Sequence, residues 1–302
     1  MEKAFEGFFN GRGHPRFKPA WRYNSFTYPQ KGFKILPNGH VELSKLGKLR
    51  MFVHRKILGK IKTLTIKRDR VGDWFVIITA ESPDVKPREV KSVITIDVGL
   101  EKLLMLSSGE YVEPPQFSKR SEKHLARLQR LLSSKKPGSK NREKARTRIA
   151  KLHRKIERQR SDFLHKLSRK LVDRTDLLVF EKLQIQNMVK NHHLSKSIYD
   201  ASWSRLIQFC SYKASTAGKK VELIDPRGTT QRCSGCGTVV EKSLSQRVHR
   251  CPTCGLLLDR DLNTTFNMLE QIGRGTPEST PVEMRPLLVG TPACRVREAG
   301  NP

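Results

Sequence analysis

Four cysteines and three acidic positions carry the chemistry of this sequence. Cys233 and Cys236 form one Cys-x-x-Cys pair, and Cys251 and Cys254 form a second after fourteen intervening residues. Each pair has the bite to place two thiolates on one tetrahedral zinc ion, and Gly237 and Gly255 let the chain turn back after each. The pattern predicts a zinc ribbon whose four-thiolate site is closed, and therefore structural rather than catalytic. The carboxylates stand elsewhere. Asp97 interrupts the β-branched run Val93, Ile94 and Ile96, where a charge is costly unless it is paired or on a metal. Gly99 then allows a close turn. Glu181 ends a comparable run, Leu177–Phe180. Asp259 and Asp261 open an amphipathic helix directly after the ribbon. Either could be a helix cap, but a helix there can aim Asp261 at the other two carboxylates. Three converging carboxylates can hold two Mg²⁺ ions about 4 Å apart for in-line phosphodiester cleavage. Magnesium also suits an open site, since it favours few carboxylates plus water and phosphate oxygens.

The elements that must position these groups are legible from periodicity. Strands are expected at 92–97, 176–181 and 221–224, with a hairpin whose turn is Ser107–Glu110. Between the first two strands, Leu125, Leu128, Leu131 and Leu132 recur at helical spacing. Ala145, Ile149, Leu152, Ile156, Phe163, Leu167 and Leu171 do so again after Pro137-Gly138-Ser139. This predicts a helical hairpin over 118–173, with a polar gap near Gln159-Arg160. Residues 185–198 read as a polar loop in which His192 and His193 point apart. Asp200-Ala201-Ser202 reads as the cap of a helix running to about Ala217. Upstream, five short runs over 33–80 are separated by turn signals such as Pro37-Asn38-Gly39, suggesting a partial antiparallel β-barrel. Residues 1–32 are basic and aromatic, with no cap signal and no helical period. Their rings could stack on bases or anchor in a core. The expected layout is therefore an N-terminal segment 1–32, a β domain 33–90, an α/β domain 91–228, a ribbon 229–258, a last helix 259–273 and a disordered tail 274–302. Cys210 and Cys294 have no partner spacing and read as a buried thiol and a tail thiol.

Charge points to the partner. The 302 residues hold 59 Lys and Arg against 29 Asp and Glu, a net charge of +30. Such an excess is the footprint of a polyanion, nucleic acid before membrane. Between Ser118 and Lys170 there are 20 Lys and Arg against 4 Asp and Glu. A coiled coil would mix signs along its faces, whereas here like charges repel until an anion relieves them. Arg127, Arg130, Arg146, Lys151, Arg154 and Arg158 on the hairpin, with Lys60 and Lys62 in the β domain, are the expected nucleic-acid contacts. No apolar run reaches the roughly 18 residues of a membrane span. The start, Met1–Phe5, lacks the apolar stretch of a signal peptide. A cytoplasmic location is expected, with cysteines used for metal rather than disulfides.

Four motifs fall in the order of a known family. Ile96-Asp97-Val98-Gly99-Leu100, Val179-Phe180-Glu181-Lys182-Leu183, the Cys233–Cys254 ribbon and Asp259-Arg260-Asp261-Leu262-Asn263 resemble the TnpB (OrfB) proteins of insertion sequences, relatives of the type V CRISPR effector nucleases. Arg22–Phe26 and Gly59–Lys62 are also similar to that family's N-terminal domain. The resemblance implies an α/β RNase H-like (RuvC) nuclease domain with an inserted zinc ribbon and basic helical hairpin, preceded by a wedge-like β domain. It implies cleavage of DNA guided by an RNA from the element's end. It also implies a Mg²⁺-binding catalytic triad of Asp97, Glu181 and Asp261, the last preferred to Asp259 because the family's aspartate stands two before the Asn. The wedge would grip guide RNA, and the hairpin would hold the guide–target duplex. Family members carry a further strand and a helical lobe before the segment matching Lys3–Phe9, so the resemblance implies a short N-terminus. Two other readings stay open: a cleavage-deficient derivative that binds guide RNA or DNA, and a plain zinc-ribbon RNA-binding protein, which leaves the three carboxylates unexplained.

Overall fold

The computed structural model describes residues 2–289, apart from 18, 20–21, 55, 82–83, 244–245 and 274–282. The chain divides into two compact units, Met1–Asp84 and Val85–Pro302.

The first unit holds α1 (Glu2–Phe9), β1 (Ser25–Pro29), β2 (Phe33–Leu36), β3 (His40–Leu43), β4 (Gly47–Arg50), β5 (Ile61–Arg68) and β6 (Trp74–Ala80). Alternation sends Val41 and Leu43 from β3, and Leu64 and Ile66 from β5, into one small core with Tyr28, Phe33, Ile35 and Val76. Gly39 takes φ +75° in the β2–β3 turn, where an added Cβ would meet the Met51 carbonyl at 3.2 Å. Asp69 Oδ1 accepts from the backbone N–H groups of Val71, Gly72 and Asp73 and so fixes the β5–β6 turn.

Two expectations change in this unit. The N-terminal segment is not wholly irregular, because it forms α1 and an edge strand, β1, that pairs antiparallel with β5. The strands do not form one barrel-like ladder. They pair as two three-stranded sheets, β1-β5-β6 and β2-β3-β4, with β4 ending at Arg50 and β5 beginning at Ile61.

The second unit continues with β7 (Val93–Val98), β8 (Leu104–Leu106), β9 (Glu110–Val112), α2 (Phe117–Ser133), α3 (Lys140–Arg174), β10 (Leu177–Glu181), α4 (Ile185–Met188), α5 (His192–Ala201), α6 (Trp203–Thr216), β11 (Lys220–Ile224), β12 (Val248–Arg250), β13 (Leu257–Asp259), α7 (Arg260–Gln271) and β14 (Arg285–Pro286). Its main sheet is mixed, in the order β11-β10-β7-β8-β9-β14. Strands β7, β10 and β11 run parallel, while β8 and β9 form an antiparallel meander on β7. Helices cover both faces. Ile96, Leu178 and Phe180 pack with Leu164, Leu167 and Leu171 of α3 and Leu206 and Cys210 of α6. On the other face, Met105 packs with Leu262, Phe266 and Leu269, and Leu177 and Val179 pack with Met268, all from α7. A sheet covered on both faces requires near-continuous apolar strands, which is how β7 and β10 read in sequence.

The polar segment 185–198 is helical rather than a loop. His192 and His193 open α5, and Ile198 and Ala201 bury an edge too sparse to show a period. Asp200 does not cap α6: α5 runs through Ala201, Ser202 takes φ +55°, and α6 starts without a side-chain cap bond. The tail is not disordered throughout. Arg285–Pro286 pair parallel with β9, and Leu287 is buried in the main core. Residues 274–282 and 290–302 of the expected tail, Cys294 among them, lie outside the described residues. Among the described residues no helix is long and apolar enough to cross a membrane.

Candidate metal and active site

Strand periodicity places the first two carboxylates. In β7 and β10, alternate residues face α3 and α6, and the intervening ones face α7. Asp97 and Glu181 fall in the second set. The strands pair in parallel with Phe180 opposite Ile96, so Asp97 and Glu181 occupy the next register position at the same end of the sheet. Asp261 sits in the first turn of α7, the helix on that face. The Thr95 hydroxyl donates to the carbonyl of Thr265 at 2.7 Å and ties β7 to that helix.

The site's electrostatics show three negative groups crowded into a poorly solvated place. Asp97 is pushed well above the usual carboxylate range, first by burial and then by the charges of Glu181 and Asp261; the Arg260 guanidinium and the Val98 N–H oppose this. Burial also raises Glu181, against a hydrogen bond from Thr229. Asp261 Oδ1 accepts from Nε and Nη2 of Arg260, both at 3.2 Å. A cation among these groups would relieve their repulsion, and carboxylate oxygens are the ligands a hard divalent ion prefers. Among the described residues, however, it is the cysteine quartet and not these three whose ligand atoms all lie within 4.8 Å of one another.

Asp259 has a different task. Its Oδ1 caps α7 by accepting from the N–H groups of Asp261 and Leu262, and its Oδ2 pairs with Lys102 Nζ at 2.6 Å. Asp259 is thus the cap, while Asp261 is the one of the two whose charge acts on Asp97.

The four cysteines come together as their spacing predicts. All four Sγ atoms lie within 4.8 Å of one another, with Cys233–Cys254 at 3.6 Å and Cys236–Cys251 at 3.5 Å. A tetrahedral zinc site with Zn–S near 2.3 Å has sulfur–sulfur edges of about 3.8 Å, so the quartet can hold zinc. Backbone N–H groups, that of Cys254 foremost, lower the Cys251 thiol toward the thiolate form a metal needs, while burial raises that of Cys233.

The ribbon is joined to the carboxylates by residues that sequence reading missed. Thr229, four residues before Cys233, donates from its hydroxyl to Glu181 Oε1 at 2.6 Å. Asn267 of α7 donates to the carbonyls of Thr229 at 2.6 Å and Arg232 at 2.7 Å. Asn263 donates to the Arg232 carbonyl at 2.8 Å and accepts from Ser234 N–H at 3.0 Å. The signal was present, because two asparagines four apart on the buried face of a short helix need polar partners.

Of the expected nucleic-acid contacts, Arg127 and Arg130 on α2 and Arg146, Lys151 and Arg158 on α3 are exposed, while Arg154 is half-buried. In the first unit, Lys60 is exposed just before β5, and Lys62 is paired with Glu81 at 2.8 Å. The polar gap in the α3 stripe is a clamp. Arg160 Nη2 reaches Asp200 Oδ1 at 2.6 Å and Ser118 Oγ at 2.9 Å, joining α3, α5 and the start of α2.

Comparison with known proteins gives the chain its relatives. Residues 76–192 match the OrfB_IS605 family, described as a probable transposase, and residues 203–268 match the TNB domain of Cas12f1-like proteins. A putative RNA-guided DNA endonuclease of Streptomyces pristinaespiralis is 35% identical over 276 residues, covering 89% of this chain and 68% of that protein. The putative RNA-guided DNA endonuclease InsQ of Escherichia coli K12 is 33% identical over 314 residues, covering 94% of this chain and 78% of that one. A solved Cas12f1–sgRNA–target DNA complex aligns at 18% identity and TM-score 0.48, covering 69% of this chain and 45% of the Cas12f1 chain, so this chain spans under half of it. The chain belongs to the TnpB (OrfB) family of insertion-sequence proteins.

Proposed function

We propose that this chain is a transposon-encoded, RNA-guided DNA endonuclease whose second unit is an RNase H-like (RuvC) nuclease domain. The observation that carries the reading is the shared placement of Asp97, Glu181 and Asp261 on the α7 side of one sheet end, close enough for Glu181 and Asp261 to act electrostatically on Asp97. The relatives bearing the endonuclease name match nearly the whole chain, which supports the same class of reaction here.

Asp97, Glu181 and Asp261 are the residues that would hold catalytic Mg²⁺. Held there, the metal would supply a lowered pKa for an attacking water and neutralisation of charge on the phosphodiester and its leaving oxygen. The chain's own groups do the rest. Thr229 and Arg260 each occupy one carboxylate oxygen and so restrict how Glu181 and Asp261 turn. Asp259 keeps α7 in place through its cap and its pair with Lys102. Cys233, Cys236, Cys251 and Cys254 would hold a structural zinc ion that keeps the ribbon folded beside α7. The exposed arginines and lysines of the α2–α3 hairpin, together with Lys60, would contact nucleic-acid phosphates, reading duplex shape rather than sequence. The first unit would serve as the wedge that grips guide RNA.

The test is reconstitution. The protein co-expressed with RNA transcribed from the flank of its own gene should cut DNA matching that RNA in Mg²⁺ and stop in EDTA. Retention of the RNA with no cleavage in either condition would refute the endonuclease reading.

A further inference from the structure

We propose that Thr229 is a positioning residue for Glu181, and that α7 sets its aim through Asn267. The inference rests on the reading of Glu181 as a metal-binding carboxylate and extends it to the residues that hold that carboxylate still.

The Thr229 hydroxyl has one proton and two acceptors in reach: Glu181 Oε1 at 2.6 Å and the Pro226 carbonyl at 2.9 Å. The distance to Glu181 lies in the charge-assisted range of about 2.5–2.7 Å, so the carboxylate takes the proton's hydrogen bond. Thr229 is 4% exposed and Glu181 8%, so water does not compete well for either group. A glutamate has three rotatable side-chain bonds, and one short bond from a buried donor removes much of that freedom.

The donor is itself fixed. Asn267 Nδ2 donates to the carbonyl of Thr229 and also to that of Arg232, so one amide closes the turn leading into the ribbon. Asn263, one helical turn earlier, holds Arg232 and Ser234. These two asparagines share α7 with Asp261. A single helix therefore carries one carboxylate of the site directly and orients a second through Asn267 and Thr229. A ligand-orienting partner of this kind is typically worth about 10- to 100-fold in metal affinity or activity.

The test is a cycle of Mn²⁺ titrations on the full chain, without nucleic acid, by isothermal calorimetry. The proteins are the parent, Thr229→Val, Thr229→Ser, Glu181→Gln and Thr229→Val/Glu181→Gln. The expected result is an affinity about 10-fold or more weaker in Thr229→Val, recovery to within about threefold in Thr229→Ser, and no further loss from Thr229→Val once Glu181 is Gln. In the reconstituted nuclease, the same Thr229→Val change should lower kcat and leave KM for DNA within about twofold. Should Thr229→Val melt more than about 10 °C below the parent, Thr229→Ala is read in its place. Mn²⁺ affinity in Thr229→Val equal to the parent's, or in Thr229→Ser as weak as in Thr229→Val, overturns the positioning role and leaves the carboxylate reading standing. A parent that binds no Mn²⁺ overturns the carboxylate reading, and this proposal with it.

Discussion

Replacing Asp200 by Ala should cost this protein about 3 kcal/mol, because it strands a cation inside the helical layer. Asp200 and Arg160 are 13% and 18% exposed at their side chains and 2.6 Å apart. The carboxylate also accepts from the backbone N–H of Ser118 at 3.2 Å and from its hydroxyl at 2.9 Å, while Arg160 Nε is buried with no hydrogen-bond partner among the described residues. Removing one member of a buried pair costs about 3–5 kcal/mol, and the residual exposure argues for the lower end. For a domain of about 200 residues, each kcal/mol shifts Tm by about 2–4 °C, so Asp200→Ala should melt about 6–12 °C below the parent. Removing the charge as well should recover much of this, so Arg160→Leu/Asp200→Ala should melt well above Asp200→Ala. Differential scanning calorimetry on the parent, Asp200→Ala, Arg160→Leu and the double variant decides the matter. A loss under about 1 kcal/mol in Asp200→Ala, or a double variant showing the sum of both single losses, would refute the clamp as the element fixing the hairpin's base.

Other consequences can be measured in parallel. Purified protein should carry one zinc per chain by elemental analysis, and Cys251→Ser should abolish it and lower Tm, since metal binding to such a ribbon is folding free energy. Affinity for a generic RNA duplex should fall roughly 100- to 500-fold between 50 and 200 mM salt if Arg127, Arg130, Arg146, Lys151 and Arg158 each neutralise one phosphate; a flat response would remove the hairpin from the interface. Asp97→Asn should stabilise the divalent-free protein at pH 7. The Asp97 carboxyl is raised in the fold, so its ionisation opposes folding as pH climbs from the ordinary value of about 3.9 through the folded value. The gain from Asp97→Asn should therefore shrink as pH falls toward 4, and a gain that grows on acidification would contradict the assigned burial.

How much of this was legible in the sequence differs by element. The strands bearing Asp97 and Glu181 were found because a two-sided buried sheet leaves apolar runs, against which a carboxylate is conspicuous. The cysteine quartet was found from spacing alone. The α3 stripe is legible from its helical period, yet its polar gap at Arg160 gains meaning only beside Asp200, forty residues away in sequence. Helix α5 shows no period because, among its described side chains, Ile198 and Ala201 alone are buried. Strand β14 was missed because two residues carry no pattern, and its place comes from the free edge of β9. The link from Thr229 to Glu181 was beyond reach, since a lone threonine before a ribbon has no local signature and its partner lies 48 residues upstream.

The central claim is that Asp97, Glu181 and Asp261 form one nuclease centre. The most direct measurement compares Mg²⁺-dependent cleavage of guide-matched DNA by the parent and by Asp97→Ala, with guide-RNA affinity measured on both. Loss of several kcal/mol of charge stabilisation should slow Asp97→Ala by at least about 1000-fold, with RNA affinity within about twofold of the parent. Equal cleavage by the two proteins would contradict it.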